Sequence, residues 1–168
     1  MDIDSGTTAW ILMSSALVLF MTPGLAFFYG GMVRSKNVLA MLMKNYVAMG
    51  IVTITWITVG FSIAFSGNVM VGDWSLFGNL DLWGVRKLDL TNAVFGYEVP
   101  DLLFMAFQMM FAIITPALIV GAYVERIRFA HVLLFSGAWL ILVYAPVAHW
   151  IWGGGFLAEL GVLDFAGG

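Results

Sequence analysis

The chain has 168 residues, of which 62% are hydrophobic and 10% charged, with a mean hydropathy of +0.98 and a net charge of −3. Soluble domains carry about 25% charged residues, so this composition cannot cover a water-facing surface. The lack of cysteine excludes disulfides and thiolate metal sites, two histidines are too few for a histidine metal centre, and the acidic balance argues against nucleic acid.

The chain opens on Met1-Asp2-Ile3-Asp4. A secretory signal begins with basic residues and has a shorter apolar core, so this start does not read as one. Residues 5–33, 45–72, 102–124 and 129–158 contain no Asp, Glu, Lys or Arg. About 20 apolar residues cross a bilayer core. The runs are continuous rather than alternating, which predicts helices instead of barrel strands. Four transmembrane helices follow, approximately 8–33, 45–67, 100–124 and 129–152, in one membrane domain with an extracytoplasmic loop at 67–99. Arg34, Lys36 and Lys44 lie between the first two helices, and Arg126 and Arg128 between the last two. Five of the seven basic residues fall inside if those loops are cytoplasmic, which sets the N-terminus outside.

Helix 1 carries Thr22-Pro23-Gly24 and Tyr29-Gly30-Gly31, a bend and a thin patch for close helix packing. Helix 2 is rich in Val, Ile and Thr and reads as packing, lipid contact or oligomer interface. In the loop, Trp74, Phe77, Leu80, Leu82 and Trp83 suggest a segment lying on the membrane surface. Val99-Pro100-Asp101 reads as a helix start, with an acid in the first turn. Helix 3 presents Phe104, Phe107 and Phe111 at spacings of three and four, hence on one face, beside Gln108. Such a stripe serves core packing as readily as a cation site. Pro116 should kink this helix.

Helix 4 carries Trp139, Tyr144, Pro146, His149, Trp150 and Trp152, then breaks on Gly153, Gly154 and Gly155. The tryptophans suit an interfacial belt, and His149 suits a hydrogen-bonded structural role. The sequence ends on Leu163-Asp164-Phe165-Ala166-Gly167-Gly168, where a carboxylate beside a membrane-length run is costly to place. No P-loop, HExxH, GxSxG or acid–base pair is present, so the sequence carries no enzyme signal.

Pro23-Gly24 with Phe28-Tyr29-Gly30-Gly31, Arg34 and Lys36-Asn37-Val38 resembles the first-helix signature of ammonium transporters, the Amt/Mep/Rh family. Ala106-Phe107-Gln108 with Phe111-Ala112, then Glu125-Arg126, and residues 148–168, AHWIWGGGFLAELGVLDFAGG, resemble the same family. The resemblance covers nearly the whole chain. It implies an all-α integral membrane fold of eleven helices with an inverted repeat. This chain supplies the first four helices and the lead into the fifth. It also implies that Phe107 and Trp152 form an outer cation site and Phe111 part of the gate beneath it. Tyr144 would stand near the pore, and Asp164 would be a buried carboxylate shaping the outer site. The implied partners are ammonium or ammonia, the lipid bilayer, the remainder of the transporter chain, two further copies in a homotrimer, and a cytoplasmic regulatory protein. No cofactor is implied. The family's pore histidines lie beyond these residues, and His131 and His149 match neither, so these residues alone are not expected to conduct.

The expected activity is passage of ammonia through an apolar pore in the cell membrane after recruitment and deprotonation of ammonium. Two other readings remain open from the sequence: an ammonium-sensing membrane domain coupled to a cytoplasmic signalling domain, and a four-helix structural protein without a ligand.

Overall fold

The computed structural model describes residues 2–123 and 125–165. Among the described residues, four helical spans are long and apolar enough to cross a membrane: Ser5–Gly30, Ser35–Phe65, Asp101–Tyr123 and Phe129–Glu159. The chain divides into two compact units. One comprises Met1–Ile54 with Leu88–Gly137, the other Thr55–Lys87 with Ala138–Gly168.

In the first unit, α1 (Ser5–Gly30) starts three residues before the expected position. The reason is Asp4, whose Oδ2 accepts the Thr7 N–H at 2.6 Å and caps the helix. It ends at Gly30 rather than near residue 33, and the N–H of Gly31 turns back to the carbonyls of Phe27 and Phe28. The helix packs along α4 (Asp101–Tyr123). Gly121 makes that approach possible, since a Cβ there would stand 3.0 Å from the Tyr29 ring, and the Tyr29 hydroxyl donates to the Leu118 carbonyl at 3.3 Å. Both helices run on through their prolines, Pro23 and Pro116.

After a 3-10 turn at Ser35–Asn37, α2 (Val38–Thr55) begins seven residues before the expected position 45. A charge-free window ends at Lys44, but the helix does not. Lys44 is only 5% exposed, and its ammonium donates to the Ile127 carbonyl at 3.0 Å. A lysine can bury its alkyl stem in a helix when its head finds a partner. The unit closes at Gly137, within α5 (Phe129–Trp139).

Asp101 is buried and begins α4. Its Oδ1 accepts the Val94 N–H at 2.7 Å, and its own N–H donates to the Asn92 carbonyl at 2.9 Å. This ties the preceding loop to the helix start, where Phe95 and Tyr97 stack on Phe104 at 4.9 and 5.0 Å. At the other end, Asn37 donates to Oε1 of Glu125 at 2.8 Å. That bond, the Arg34 backbone N–H, and the nearby charges of Arg34 and Lys36 hold the Glu125 carboxyl below the usual glutamate range. A depressed folded-state value contributes stability above the unfolded value and loses it as pH falls through the folded one. The Glu125 carboxyl resonance should therefore titrate below a reference glutamate, and Asn37→Ala should move its midpoint upward in the same NMR titration.

The second unit is built around two π-helical turns, Trp56–Gly60 and Leu140–Tyr144. Trp56 is fully buried and meets Tyr144 edge-on at 5.9 Å. Gly60 leaves room for it, because a Cβ there would come 2.9 Å from the Trp56 ring. The chain then runs through α3 (Phe61–Phe65) into a feature absent from the sequence expectation for loop 67–99, an antiparallel hairpin. Its strands are β1 (Asn68–Val71) and β2 (Trp74–Gly78). Val71 pairs with Trp74, so Gly72-Asp73 forms a two-residue turn, with Gly72 at φ +64. Glycine at the first turn position is what a tight hairpin of this kind requires. Val69 pairs with Phe77 and Met70 with Ser75, leaving Leu76 as an extra residue in a bulge. Gly78 seats the hairpin on α3, since a Cβ there would meet the Ser62 carbonyl oxygen at 2.5 Å. The unit is completed by α6 (Ala145–Trp152) and α7 (Phe156–Glu159).

Candidate functional site

The residues singled out in the sequence divide between the two units. In the first, Phe107 and Phe111 lie one turn apart on α4, half-buried, with ring centroids 5.1 Å apart and planes at 76°. That edge-to-face geometry is favoured by the ring quadrupoles and leaves π surface available. The Thr115 hydroxyl donates to the Phe111 carbonyl at 2.6 Å. Phe104, the third member of the stripe, is buried beneath Phe95 and Tyr97 and belongs to the packing of the unit.

In the second unit, Trp152 is the last residue of α6 and is half-buried. Its Nε1–H donates to Oδ2 of Asp164 at 3.1 Å. Asp164 itself is exposed in this chain. Tyr144 lies in the second π turn, between Trp56 at 5.9 Å and Trp139 at 6.1 Å. Residues 166–168, the end of the DFAGG segment, lie outside the described residues.

His149 is fully buried. Its Nδ1 is 3.0 Å from the Ala64 carbonyl oxygen and its Nε2 2.9 Å from the Ser75 hydroxyl. The Trp150 indole N–H donates to the Leu76 carbonyl at 2.7 Å. The hairpin partners of α6 were not foreseen from the sequence, although Gly72-Asp73 between short apolar runs is a signal that could have found them.

An indole face can attract a small cation while its N–H is engaged by a carboxylate, because the π surface and the N–H edge are different parts of the ring. The Trp152–Asp164 pair thus combines a cation-attracting face with a nearby negative charge.

Comparison with known proteins gives this arrangement a context. The family model described as Ammonium Transporter Family matches residues 9–168. The chain is 48% identical to an ammonium transporter of Bacillus subtilis over 164 residues, covering 97% of this chain and 39% of that protein. It is 45% identical to Amt1 of Archaeoglobus fulgidus, covering 97% and 38%. Among solved structures, Mep2 of Saccharomyces cerevisiae superposes with a TM-score of 0.87 at 35% identity, covering 99% of this chain and 38% of that one. A protein described as a sensor Amt protein superposes at 0.84 with 28% identity, covering 96% and 39%. The chain therefore spans about two-fifths of the length of the curated relatives it matches. With its four apolar spans and this match across almost its entire length, the chain is the N-terminal part of the integral membrane transporter fold and belongs to the ammonium transporter family.

Proposed function

We propose that the complete polypeptide carrying this sequence moves ammonium nitrogen across the cell membrane as a homotrimer, acting as a transporter and not as an enzyme. The observation that carries this reading is the half-exposed Trp152 indole with its N–H held by Asp164, within a chain of this family. In the proposal, Phe107 and Trp152 recruit the cation at the outer face, and Asp164 acts on it electrostatically. Phe111 gates the passage beneath, and Tyr144 stands beside it. The N-terminus lies outside, the excess of basic residues inside, and a cytoplasmic regulatory protein is a further partner.

The energetics favour recruitment followed by proton loss. Aromatic faces attract a cation by about 0.5–2 kcal/mol each, enough to gather it and weak enough to release it. Moving the bare ion into an apolar medium costs of order 20 kcal/mol. Transferring a proton from an ammonium group to water at neutral pH costs about 4.6 kcal/mol, taking a lysine ammonium as an upper proxy. Ammonia can then cross an apolar lumen, while potassium and sodium have no proton to lose.

The test is concentration-dependent methylammonium uptake by the complete polypeptide in cells lacking their own ammonium transport. Trp152→Ala and Phe107→Ala should each raise the apparent KM by roughly 2- to 30-fold, the range that corresponds to losing one cation–π contact. Unchanged affinity in both variants, together with unchanged discrimination against potassium, would reject the site. The likeness to the sensor Amt protein favours ammonium sensing as the second reading. Ammonium binding without flux in the same cells would select it.

A further inference from the structure

We propose that His149 is a positioning residue for the cation site. It holds the Trp152 indole through the glycine turn that follows, with the β1–β2 hairpin as the brace. The proposal rests on the reading of Trp152 as a cation-binding face.

His149 is 0% exposed within an apolar span, and both of its ring nitrogens are bonded to segments other than its own helix. A carbonyl oxygen only accepts, so Nδ1 carries a proton toward Ala64, and in the neutral ring Nε2 accepts from the Ser75 hydroxyl. Both ring nitrogens are thereby engaged, with none left to relay a proton. These two bonds fix the rotation of α6 about its own axis, the motion that would swing Trp152, three residues further on.

The backbone of His149 does a second job. Its carbonyl accepts the N–H of Gly153 at 3.0 Å and of Gly155 at 2.9 Å, closing the helix and pinning the triple-glycine turn. Gly155 is held close enough that a Cβ there would stand 2.5 Å from Cα of Trp150. Trp152 therefore sits between an immobilised ring and an immobilised turn. The hairpin reinforces both. Asn68 donates to the Gly154 carbonyl at 3.2 Å, and the bulged Leu76 offers its carbonyl to the Trp150 indole N–H. Trp74 packs edge-on against Phe156 at 5.6 Å, just past the turn.

The experiment is a double-mutant cycle in the complete polypeptide, read as methylammonium uptake at matched membrane protein level. His149→Ala and Ser75→Ala should each raise the apparent KM threefold or more (roughly the effect of losing one modest hydrogen bond), with maximal uptake per protein retained. His149→Asn, whose amide N–H can reach the Nδ1 position, should restore part of the affinity. In a Trp152→Ala background the same changes should shift KM by less than about twofold, because the group they position is gone. Should His149→Ala fail to accumulate, Ser75→Ala, which removes a single hydrogen bond, carries the same cycle. Two results would overturn the proposal while leaving the cation site intact. One is unchanged KM in the His149 and Ser75 variants while Trp152→Ala raises it. The other is full multiplication of the effects in the double variants. Unchanged KM in Trp152→Ala itself would instead remove the reading of Trp152 as a cation-binding face, and this proposal with it.

Discussion

Gly153→Ala is expected to lower sharply both the accumulation of folded protein and its unfolding temperature. The backbone at Gly153 has φ −91 and ψ 9, which other residues can adopt, so the requirement for glycine is steric. A Cβ at that position would sit against the Ala64 carbonyl oxygen at an impossible separation and 2.6 Å from Nδ1 of His149. The obstacle is main chain, which cannot rotate aside as a side chain could. Relieving it means lifting the end of α6 from α3 and breaking the His149 bond to Ala64. Forcing a methyl group into a packed interior typically costs 1–3 kcal/mol or more, and here a buried hydrogen bond is lost as well. Gly154 provides the control. It has φ +81, but the nearest atoms to its Cβ are 3.9 Å away, so Gly154→Ala should cost only the left-handed strain of about 1–2 kcal/mol. Detergent size-exclusion profiles and thermal unfolding of the two variants will rank them. A Gly153→Ala protein that unfolds within about 2 °C of the parent, a shift worth less than 1 kcal/mol, would show that the α3–α6 contact is not formed as described.

Asp101→Ala should lower the unfolding temperature and open the loop that precedes α4. The carboxylate is 1% exposed and accepts the Val94 N–H, and it sits at the positive end of a 23-residue helix. Its removal leaves a donor without a partner, at about 1–3 kcal/mol, and forfeits a favourable interaction with the helix end of about 0.3–1 kcal/mol. For a chain of this size that corresponds to a fall of several degrees, roughly 3–10 °C. Limited proteolysis should find new cleavage between residues 88 and 100, because Phe95 and Tyr97 lose the anchor that stacks them on Phe104. Asp101→Asn keeps an acceptor oxygen and should fall between the parent and the alanine variant. Equal behaviour of Asn and Ala would mean that the hydrogen bond to Val94 contributes little.

The apolar spans were legible because lipid imposes one simple rule, an uninterrupted run of about 20 apolar residues. Where that rule failed, a charged side chain had found a partner. Lys44 looked like a boundary in the sequence, and a partner far away in the chain, the Ile127 carbonyl, lets α2 continue through it. The hairpin was missed for a related reason. Its four- and five-residue strands are too short to stand out beside membrane-length runs, and their stability comes from α3 and α6. The aromatic stripe on α4 was visible as a stripe. Its division into a packed Phe104 and the more accessible pair Phe107 and Phe111 depends on loop residues 95 and 97, which periodicity cannot assign. Asp164 was legible as an unusual carboxylate, and its bond to Trp152 twelve residues earlier required coordinates.

The π turn at Leu140–Tyr144 has an arithmetic consequence for the segment as a whole. Such a turn holds roughly one residue more than an α-helical turn, so it behaves as an inserted residue absorbed without a loop. Deleting one residue there would restore ordinary helical winding while His149 keeps its facing toward Ala64 and Ser75. The same deletion elsewhere in the helix, with the π turn kept, would instead rotate everything downstream by about 100° and carry the indole with it. The π turn thus acts as a spacer that takes up one residue of length without changing which way the end of α6 points.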